Sequence, residues 1–174
     1  MEVYRVVITG PESTGKTSLT MMLASYFKTV WVPEYSREYI TRLGRKYDYH
    51  DVEHIAREQV RREKEYMPGA KDFLFFDTHL IIIKVWFKVL YNRYPAWIDE
   101  AISTSRTDFF LLCNTDIPWV PDPVRENGGE MREKLLLMYQ NEIISLGIPW
   151  KLISGKNKQR IRSAISILED HFNI

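Results

Sequence analysis

The sequence predicts an α/β protein in which a five-stranded parallel sheet lies between two layers of helices. Apolar runs of strand length alternate with longer amphipathic segments from one end of the chain to the other. The runs are almost continuously apolar, as expected for strands that are covered on both faces. A glycine-rich segment directly follows the first run, at the edge where parallel sheets commonly bind ligands.

Five apolar runs and the segments between them give the expected order of elements. Strands are predicted at 3–9, 28–32, 72–77, 108–114 and 149–154, and helices at 16–27, 35–43, 51–66, 79–92, 95–104, 130–146 and 157–172. No repeat or linker divides the chain, so residues 1–174 are expected to form one domain. Residues from about 115 to 130 form a long loop, and long loops often act as lids.

Composition and charge argue against several classes of protein. The 174 residues include 24 Lys and Arg against 23 Asp and Glu, which gives no drive toward nucleic acid or an anionic membrane. No apolar run reaches the roughly 18 residues that span a bilayer. The N-terminus also lacks the order of a signal peptide. The single cysteine, Cys113, excludes an intrachain disulfide, so we expect a cytoplasmic protein.

The stretch GPESTGKT at residues 10–17 fits the pattern G-x-x-x-x-G-K-[ST] between a predicted strand and a predicted helix. Its glycines let the backbone approach phosphates, and the helix N-terminus adds partial positive charge. Lys16 is predicted to neutralise the β- and γ-phosphates of ATP, and the Thr17 hydroxyl to reach Mg²⁺. The expected nucleotide-binding residues here are Gly10, Glu12, Ser13, Thr14, Gly15, Lys16, Thr17 and Ser18.

Two carboxylates, Glu34 and Asp77, follow predicted strands at the ligand-binding edge of the sheet. Asp77 stands where a metal-binding or water-ordering carboxylate is expected. Glu34 could orient or deprotonate an acceptor hydroxyl, with Arg37 on the same helix face to hold sugar or phosphate. Thr78 follows Asp77 in place of a second acid, and the guanine-reading NKxD motif is absent. Transfer to a bound hydroxyl is therefore favoured over hydrolysis, and either acid could be the base.

The loop TDIPWVPDPVRENGG carries Trp119, Asp122 and Arg125, and Arg132 lies in the helix that follows. A lid arginine is a common device for stabilising a transferring phosphoryl group away from water. Arg125 is therefore predicted to bind ATP and to take part in catalysis. Trp119 could either stack on a flat ring or pack in the core.

The basic stretch SGKNKQRIR at residues 154–162 has no interleaved aromatic residues, so nucleic-acid binding is not expected there. Its second residue, Gly155, follows the last strand, where phosphate-loop kinases usually place the adenine base. Gly155 is therefore a further predicted nucleotide contact.

The assembled motifs resemble a known family. The stretches ITGPESTGKTSL, VPEYSREYI, FFDTHLIIIKVW, LLCNTDIPWVPDPVREN and PWKLISG are similar to the ribosylnicotinamide kinase domain of the bifunctional NAD-biosynthesis proteins and to its stand-alone AAA-type relatives. The similarity keeps the same order over nearly the whole chain, and PEYSREY and PWxxDxxR are its most specific parts. The resemblance implies a kinase that uses ATP and Mg²⁺ to phosphorylate the ribose 5′-hydroxyl of nicotinamide riboside, giving nicotinamide mononucleotide.

The resemblance also implies roles for single residues. Matching positions are Gly15, Lys16 and Thr17 for the ATP phosphates and the metal, Glu34, Tyr35 and Arg37 for the riboside, Asp77 for the acceptor hydroxyl or the metal, and Trp119, Asp122 and Arg125 for the lid. Two prolines depart from the pattern, since relatives can carry an aromatic residue at Pro33 and have glycine at Pro123. The chain also has no room for the adenylyltransferase or helix-turn-helix repressor domains of the bifunctional proteins.

Two alternatives stand beside this interpretation. A kinase for another nucleoside or for a nucleotide monophosphate is the first, and a monophosphate would demand extra arginines, for which Arg37 and Arg42 are candidates. An ATP-binding regulatory module is the second, although a pure switch has no need of a lid. The expected partner is a small nucleoside-like substrate rather than nucleic acid or a membrane, and a homo-oligomer is left open.

Overall fold

The computed structural model describes residues 3–174 and contains five strands and seven α-helices in that range. The strands are β1 (Tyr4–Thr9), β2 (Trp31–Val32), β3 (Phe73–Asp77), β4 (Phe109–Cys113) and β5 (Trp150–Ile153). The helices are α1 (Lys16–Tyr26), α2 (Tyr35–Leu43), α3 (Tyr49–Tyr66), α4 (Leu80–Tyr91), α5 (Trp97–Thr104), α6 (Gly129–Leu146) and α7 (Asn157–Phe172), and a 3-10 turn at Met67–Gly69 follows α3.

The strands form one parallel sheet in the order β2-β3-β1-β4-β5, so the predicted fold is confirmed. Strand β2 is shorter than the predicted run at 28–32. Lys28 has a φ of 53°, and the Thr29 N–H donates to the carbonyl oxygen of Ala24 at 2.9 Å, so these residues close α1 before the strand begins.

Alternate side chains of the strands build two separate cores, one on each face of the sheet. Helices α1 and α7 cover the face that carries Val6, Ile8 and Leu111. Helices α3, α4, α5 and α6 cover the opposite face, which carries Val7 and Phe110. The central strands β1, β3 and β4 are therefore buried on both sides, as their continuous apolar runs predict. Among the described residues, no helix is both long and apolar enough to cross a membrane.

The parallel register brings the ends of β1 and β3 together. Ile8 pairs with Asp77, so the chain leaves β1 for the glycine-rich segment beside the carboxylate that ends β3. The carboxyl end of β4 lies on the other side of β1, where Thr9 pairs with Leu112. Loops from three neighbouring strands consequently meet at one edge of the sheet, which is the place expected for a ligand.

Helix α3 begins with a capping box. The Asp48 side chain accepts the N–H of Asp51, and the Asp51 carboxylate accepts the N–H of Asp48 at 2.8 Å. The buried Asp51 carboxylate also accepts from Arg45 at 2.6 Å and from the Tyr39 hydroxyl at 2.7 Å. One carboxylate thus joins α2, the following loop and α3.

Replacing Asp51 tests this junction. The Arg45 hydrogen bond holds the pKa of Asp51 well below its usual range, so its contribution is complete at neutral pH and falls progressively below about pH 4. We expect Asp51→Asn to lower the free energy of unfolding by about 2 kcal/mol at pH 7, and by less in acid, as measured by urea denaturation. The control Glu65→Gln, at a half-exposed ion pair, should cost less than about 0.5 kcal/mol. Equal losses in the free energy of unfolding for the two variants would contradict the role of Asp51 in this junction.

Candidate nucleotide-binding site

The segment from Gly10 to Gly15 forms a tight loop between β1 and α1. Gly10 has a φ of 143°, and a Cβ atom at this position would lie 2.7 Å from the carbonyl oxygen of Cys113 at the end of β4. Gly15, with a φ of 76°, immediately precedes the first residue of α1. Glycine is therefore required at both positions by backbone conformation, and at Gly10 also by contact with β4.

Lys16 and Thr17 open α1 at the mouth of the loop. The Lys16 ammonium donates to the carbonyl oxygen of Pro11 at 3.0 Å, so it lies over the loop backbone. The Thr17 hydroxyl donates to Oδ2 of Asp77 at 2.6 Å, joining the start of α1 to the end of β3. Within the described residues, Oδ1 of Asp77 is buried and has no hydrogen-bond partner. Hydroxyl and carboxylate oxygens together with phosphates are the ligands that Mg²⁺ prefers, so these two side chains fit the ion.

The environment of Asp77 perturbs its ionisation. Burial, helped by the negative charge of Glu34, raises the pKa of Asp77 to about 6, while Lys16 and the Thr17 hydrogen bond act in the opposite direction. Two carboxylates thus lie in one electrostatic environment at the edge of the sheet. Sites of this kind are typical of metal binding and proton transfer.

A cavity of about 440 Å³ opens beside the loop, and we call it the phosphate-loop cavity. Its polar wall includes the loop and the side chains of Glu34, Arg37 and Arg125. The remaining wall is largely apolar and aromatic, with contributions from α2, α3, α4 and α6; it includes Ile40, Tyr47, Ile55, Ile82, Ile83, Trp86, Val89, Leu90, Leu135 and Tyr139. A charged end and an apolar end in one cavity of this size suit a small ligand that carries both characters.

Tyr47 and Trp86 shape the apolar end. Their rings contact edge to face, with centroids 5.0 Å apart, and the Trp86 indole N–H donates to the Tyr47 hydroxyl at 3.3 Å. The same hydroxyl donates to the Glu126 carboxylate at 2.6 Å. Burial and this hydrogen bond raise the pKa of Tyr47, so the phenol stays neutral. Hydrogen bonds through the Tyr47 hydroxyl therefore connect α4 to the loop after β4 at this wall.

Several side chains, among them Glu12 and Arg132, fasten the loop at residues 114–128 to the phosphate loop. The Glu12 carboxylate accepts the backbone N–H groups of Glu126 and Asn127 at 3.0 and 2.9 Å. The buried Arg132 guanidinium donates to the carbonyl oxygens of Glu12, Ser13 and Ile117 at 2.8–3.0 Å. Glu12 therefore lines the cavity while its carboxylate is directed to the 114–128 loop.

Asp122 organises the arginines at the cavity edge. Its carboxylate accepts from Arg37 at 2.7 Å and from the Arg125 side chain at 3.0 Å, and it also accepts the N–H groups of Val124 and Arg125. Arg37 and Arg125 line the phosphate-loop cavity, whereas Asp122 stands behind them. The structure thus brings these three predicted residues together, with Asp122 contacting the arginines rather than the cavity.

Several other predicted residues lie outside the cavity lining. The Tyr35 hydroxyl contacts His54 at 3.3 Å, and the Arg62 guanidinium covers the Tyr35 ring at 4.5 Å. Trp119 packs inside the 114–128 loop, where a Cβ atom on Gly128 would lie 3.3 Å from its ring. Trp119 is half-buried there and belongs to neither core, so its surroundings match neither ring stacking in the cavity nor the expected core packing.

Gly155 takes part in a network that sequence reasoning missed. The Gly155 N–H donates to Asp116 at 2.6 Å, and the buried Arg160 donates to Asp116, to Gly155 and to the backbone oxygen of Thr14. Arg160 thus links α7 to the phosphate loop. A signal was present in the sequence, because Arg160 precedes Ala164 and Leu168 at helical spacing on the buried face of α7.

A family described as "AAA domain" matches residues 5–160. The chain belongs to the AAA-domain family. This AAA-domain chain is 28% identical over 148 residues to the protein described as "Trifunctional NAD biosynthesis/regulator protein NadR" from Salmonella typhimurium, and equally to that from Escherichia coli. The match covers 83% of this chain and 35% of each relative, so the chain spans about a third of their length. The resemblance read from the motifs is confirmed.

Solved structures support the fold. A crystal structure of NadR protein in complex with NAD and AMP-PNP matches 99% of the AAA-domain chain and 50% of its own, with a TM-score of 0.81 and 21% identity. Deoxyadenosine kinase from M. mycoides, solved with dCMP and dCDP, matches 95% of this chain and 99% of its own, with a TM-score of 0.69 and 15% identity. At these identities the matches establish a shared fold.

The raised pKa of Asp77 predicts the direction in which the stability of the fold changes with pH. A carboxyl whose pKa is higher in the folded state stabilises the fold at low pH, and that contribution is lost as pH rises through about 6. Without metal and nucleotide, Asp77→Asn should therefore be more stable than the wild type at pH 7.5, by about 2 kcal/mol, and nearly equal to it near pH 4. Urea denaturation in EDTA at the two pH values measures the difference.

Asp116→Asn is the matched control. Burial acts to raise the pKa of Asp116, but hydrogen bonds from Arg160 and the Gly155 N–H outweigh it and lower the pKa. This variant should be less stable than the wild type at pH 7.5. A gain in stability for Asp116→Asn, or a loss for Asp77→Asn, would show that the charge environments are assigned incorrectly.

Proposed function

We propose that the chain is an ATP-dependent kinase that phosphorylates the ribose 5′-hydroxyl of nicotinamide riboside. The observation that carries the proposal is the hydrogen bond between Thr17 and Asp77, because it brings a hydroxyl and a carboxylate suited to Mg²⁺ together beside the phosphate loop, where a cavity of about 440 Å³ opens. The relatives agree with it, since one is named for NAD biosynthesis and a NadR protein was solved in complex with NR.

The shape and charge of the cavity favour a nucleoside over a nucleoside monophosphate as acceptor. Arg37 and Arg125 are the arginines in its lining, and Asp122 neutralises part of their charge. Arg42, the other candidate for holding a monophosphate, is exposed and paired with Glu38 at 2.9 Å, away from the cavity. The wall around Tyr47 and Trp86 is suited to a flat ring.

Catalysis is proposed to rest on positioning and charge. The loop backbone and the N-terminus of α1 would hold the phosphates of ATP, and Lys16 would turn from the Pro11 oxygen to the β- and γ-phosphates. Thr17 and Asp77 would hold Mg²⁺, which supplies neutralisation of phosphate charge when bound. Arg125 lines the same cavity and would stabilise the transferred phosphoryl group.

The acceptor proton needs a base, and two carboxylates are available. Oδ2 of Asp77 is engaged by Thr17 and belongs to the metal pair, whereas Glu34 lines the cavity and accepts a hydrogen bond from its neighbour Ser36. We therefore assign Glu34 as the group that orients and deprotonates the 5′-hydroxyl, and Asp77 as the metal ligand.

We propose that the 114–128 loop excludes water from the site and acts as the lid of a single kinase domain. Its contacts with Glu12 and Arg132 hold it against the phosphate loop. An enclosed site protects ATP from hydrolysis when no acceptor is bound. A pure ATP switch has no use for such a cover, which favours a kinase over a regulatory module. The cytoplasmic location and self-association stay predictions.

ADP release tests the reaction directly. Purified protein with ATP and Mg²⁺ should release ADP only when nicotinamide riboside is added, and the product should be nicotinamide mononucleotide by mass spectrometry. Turnover with another nucleoside instead would support kinase activity but show that the acceptor is not nicotinamide riboside. No acceptor-dependent turnover with any nucleoside or nucleotide would contradict the kinase and favour an ATP-dependent regulatory module.

The two carboxylates should separate kinetically. Glu34→Gln is expected to lower kcat by about 100-fold or more, because the proton acceptor is lost, with little change in the Mg²⁺ requirement. Asp77→Asn should raise the Mg²⁺ concentration for half-maximal activity by about tenfold or more. Glu130→Gln, at an exposed position in the first turn of α6, serves as control. A reversed pattern would exchange the two roles.

A further inference from the structure

The side chain of Glu126 lines the phosphate-loop cavity but has no part in the reaction proposed above. It is exposed, and its carboxylate accepts the hydrogen of the Tyr47 hydroxyl at 2.6 Å. Among the described residues Glu126 forms no ion pair, whereas its neighbour Arg125 pairs with Asp122. The negative charge of Glu126 is therefore available to a ligand in the cavity.

The two aromatic side chains beside this carboxylate have already used their polar hydrogens. The Trp86 indole N–H donates to the Tyr47 hydroxyl at 3.3 Å, and that hydroxyl donates to Glu126. Burial, together with the hydrogen bond to Glu126, raises the pKa of Tyr47, so the phenol keeps its hydrogen. Neither ring is then free to donate a hydrogen bond to a ligand. What the rings offer is apolar surface with negative potential over their faces.

The positive charges in the cavity lining are engaged elsewhere. Arg37 and Arg125 both pair with Asp122, at 2.7 and 3.0 Å. Lys16 lies over the phosphate loop, and in the proposed reaction it turns to the phosphates of ATP. A carboxylate and two electron-rich rings therefore set the electrostatic potential at the aromatic end, and that potential favours positive charge.

A flat ring that carries a positive charge would suit this end better than a neutral ring of the same shape. Both would bury the same apolar surface. The cation would gain attraction from the aromatic rings and from the carboxylate as well. Building on the proposed function, we propose that Glu126, with Tyr47 and Trp86, makes the acceptor site selective for ribosides of a cationic heterocycle. Ribosides of neutral rings are then poor acceptors, and Glu126 is a specificity-determining residue.

A matched pair of ligands isolates the effect of charge. Nicotinamide riboside carries a positively charged ring nitrogen, and benzamide riboside has a neutral carbon atom in its place, with nearly the same shape. Calorimetric titration in the presence of ADP and Mg²⁺ measures binding without turnover. The wild type should bind the cationic riboside about tenfold more tightly than the neutral one. Equal affinities, or no binding of either riboside below about 10 mM, would overturn the proposal.

Replacing Glu126 tests its part in the selection. Glu126→Gln removes the charge, while the amide oxygen can still accept the Tyr47 hydrogen bond. The variant should bind the cationic riboside about fivefold more weakly and the neutral riboside as before. Glu130→Gln, exposed in the first turn of α6 and outside the cavity lining, is the matched control and should keep the full preference. An unchanged preference in Glu126→Gln would overturn the role of Glu126.

The binding measurement separates this proposal from the proposed kinase reaction. A preference for the cationic riboside that Glu126→Gln abolishes would support the charge selection even if the bound riboside were never phosphorylated. In that case only the kinase proposal would fail. Turnover with a neutral nucleoside, together with equal binding of the two ribosides, would support kinase activity and overturn the charge selection.

Discussion

The hydrogen bond between Thr17 and Asp77 depends on the register of the parallel sheet, and the rest of the site depends on that bond. Pairing of Ile8 with Asp77 sets the end of β3 level with the chain as it leaves β1. The glycine-rich loop then returns Thr17 to the same level at the start of α1. A slip of one position in β3 would turn the Asp77 side chain to the other face of the sheet, away from Thr17.

Two buried arginines hold the loops around this centre. Arg132 donates to the loop after β4 and Arg160 donates to the loop after β5. Both also donate to backbone oxygens of the phosphate loop. Burying a guanidinium is unfavourable unless its donors are satisfied, and here carbonyl oxygens and the Asp116 carboxylate satisfy most of them. The same side chains that stabilise the fold thereby fix the geometry of the site.

The sequence was sufficient for the fold and for the position of the loop at residues 10–17 beside Asp77, because both depend on local pattern. The loop GPESTGKT and the acid at the end of β3 lie within short segments whose spacing is fixed by strand and helix geometry. The aromatic wall of the cavity could not be predicted. Tyr47, Trp86 and Tyr139 come from separate elements and meet only through helix packing. The contacts of Asp122 and Tyr35 likewise required the fold, since their partners lie far along the chain.

The contact between Glu12 and the 114–128 loop also bears on how that loop can move. Opening it would break the hydrogen bonds from Glu126 and Asn127 to one carboxylate, and water would have to solvate the anion instead. A lid of the kind proposed above would therefore be held by a residue of the phosphate loop itself, so its opening would be coupled to any change in that loop.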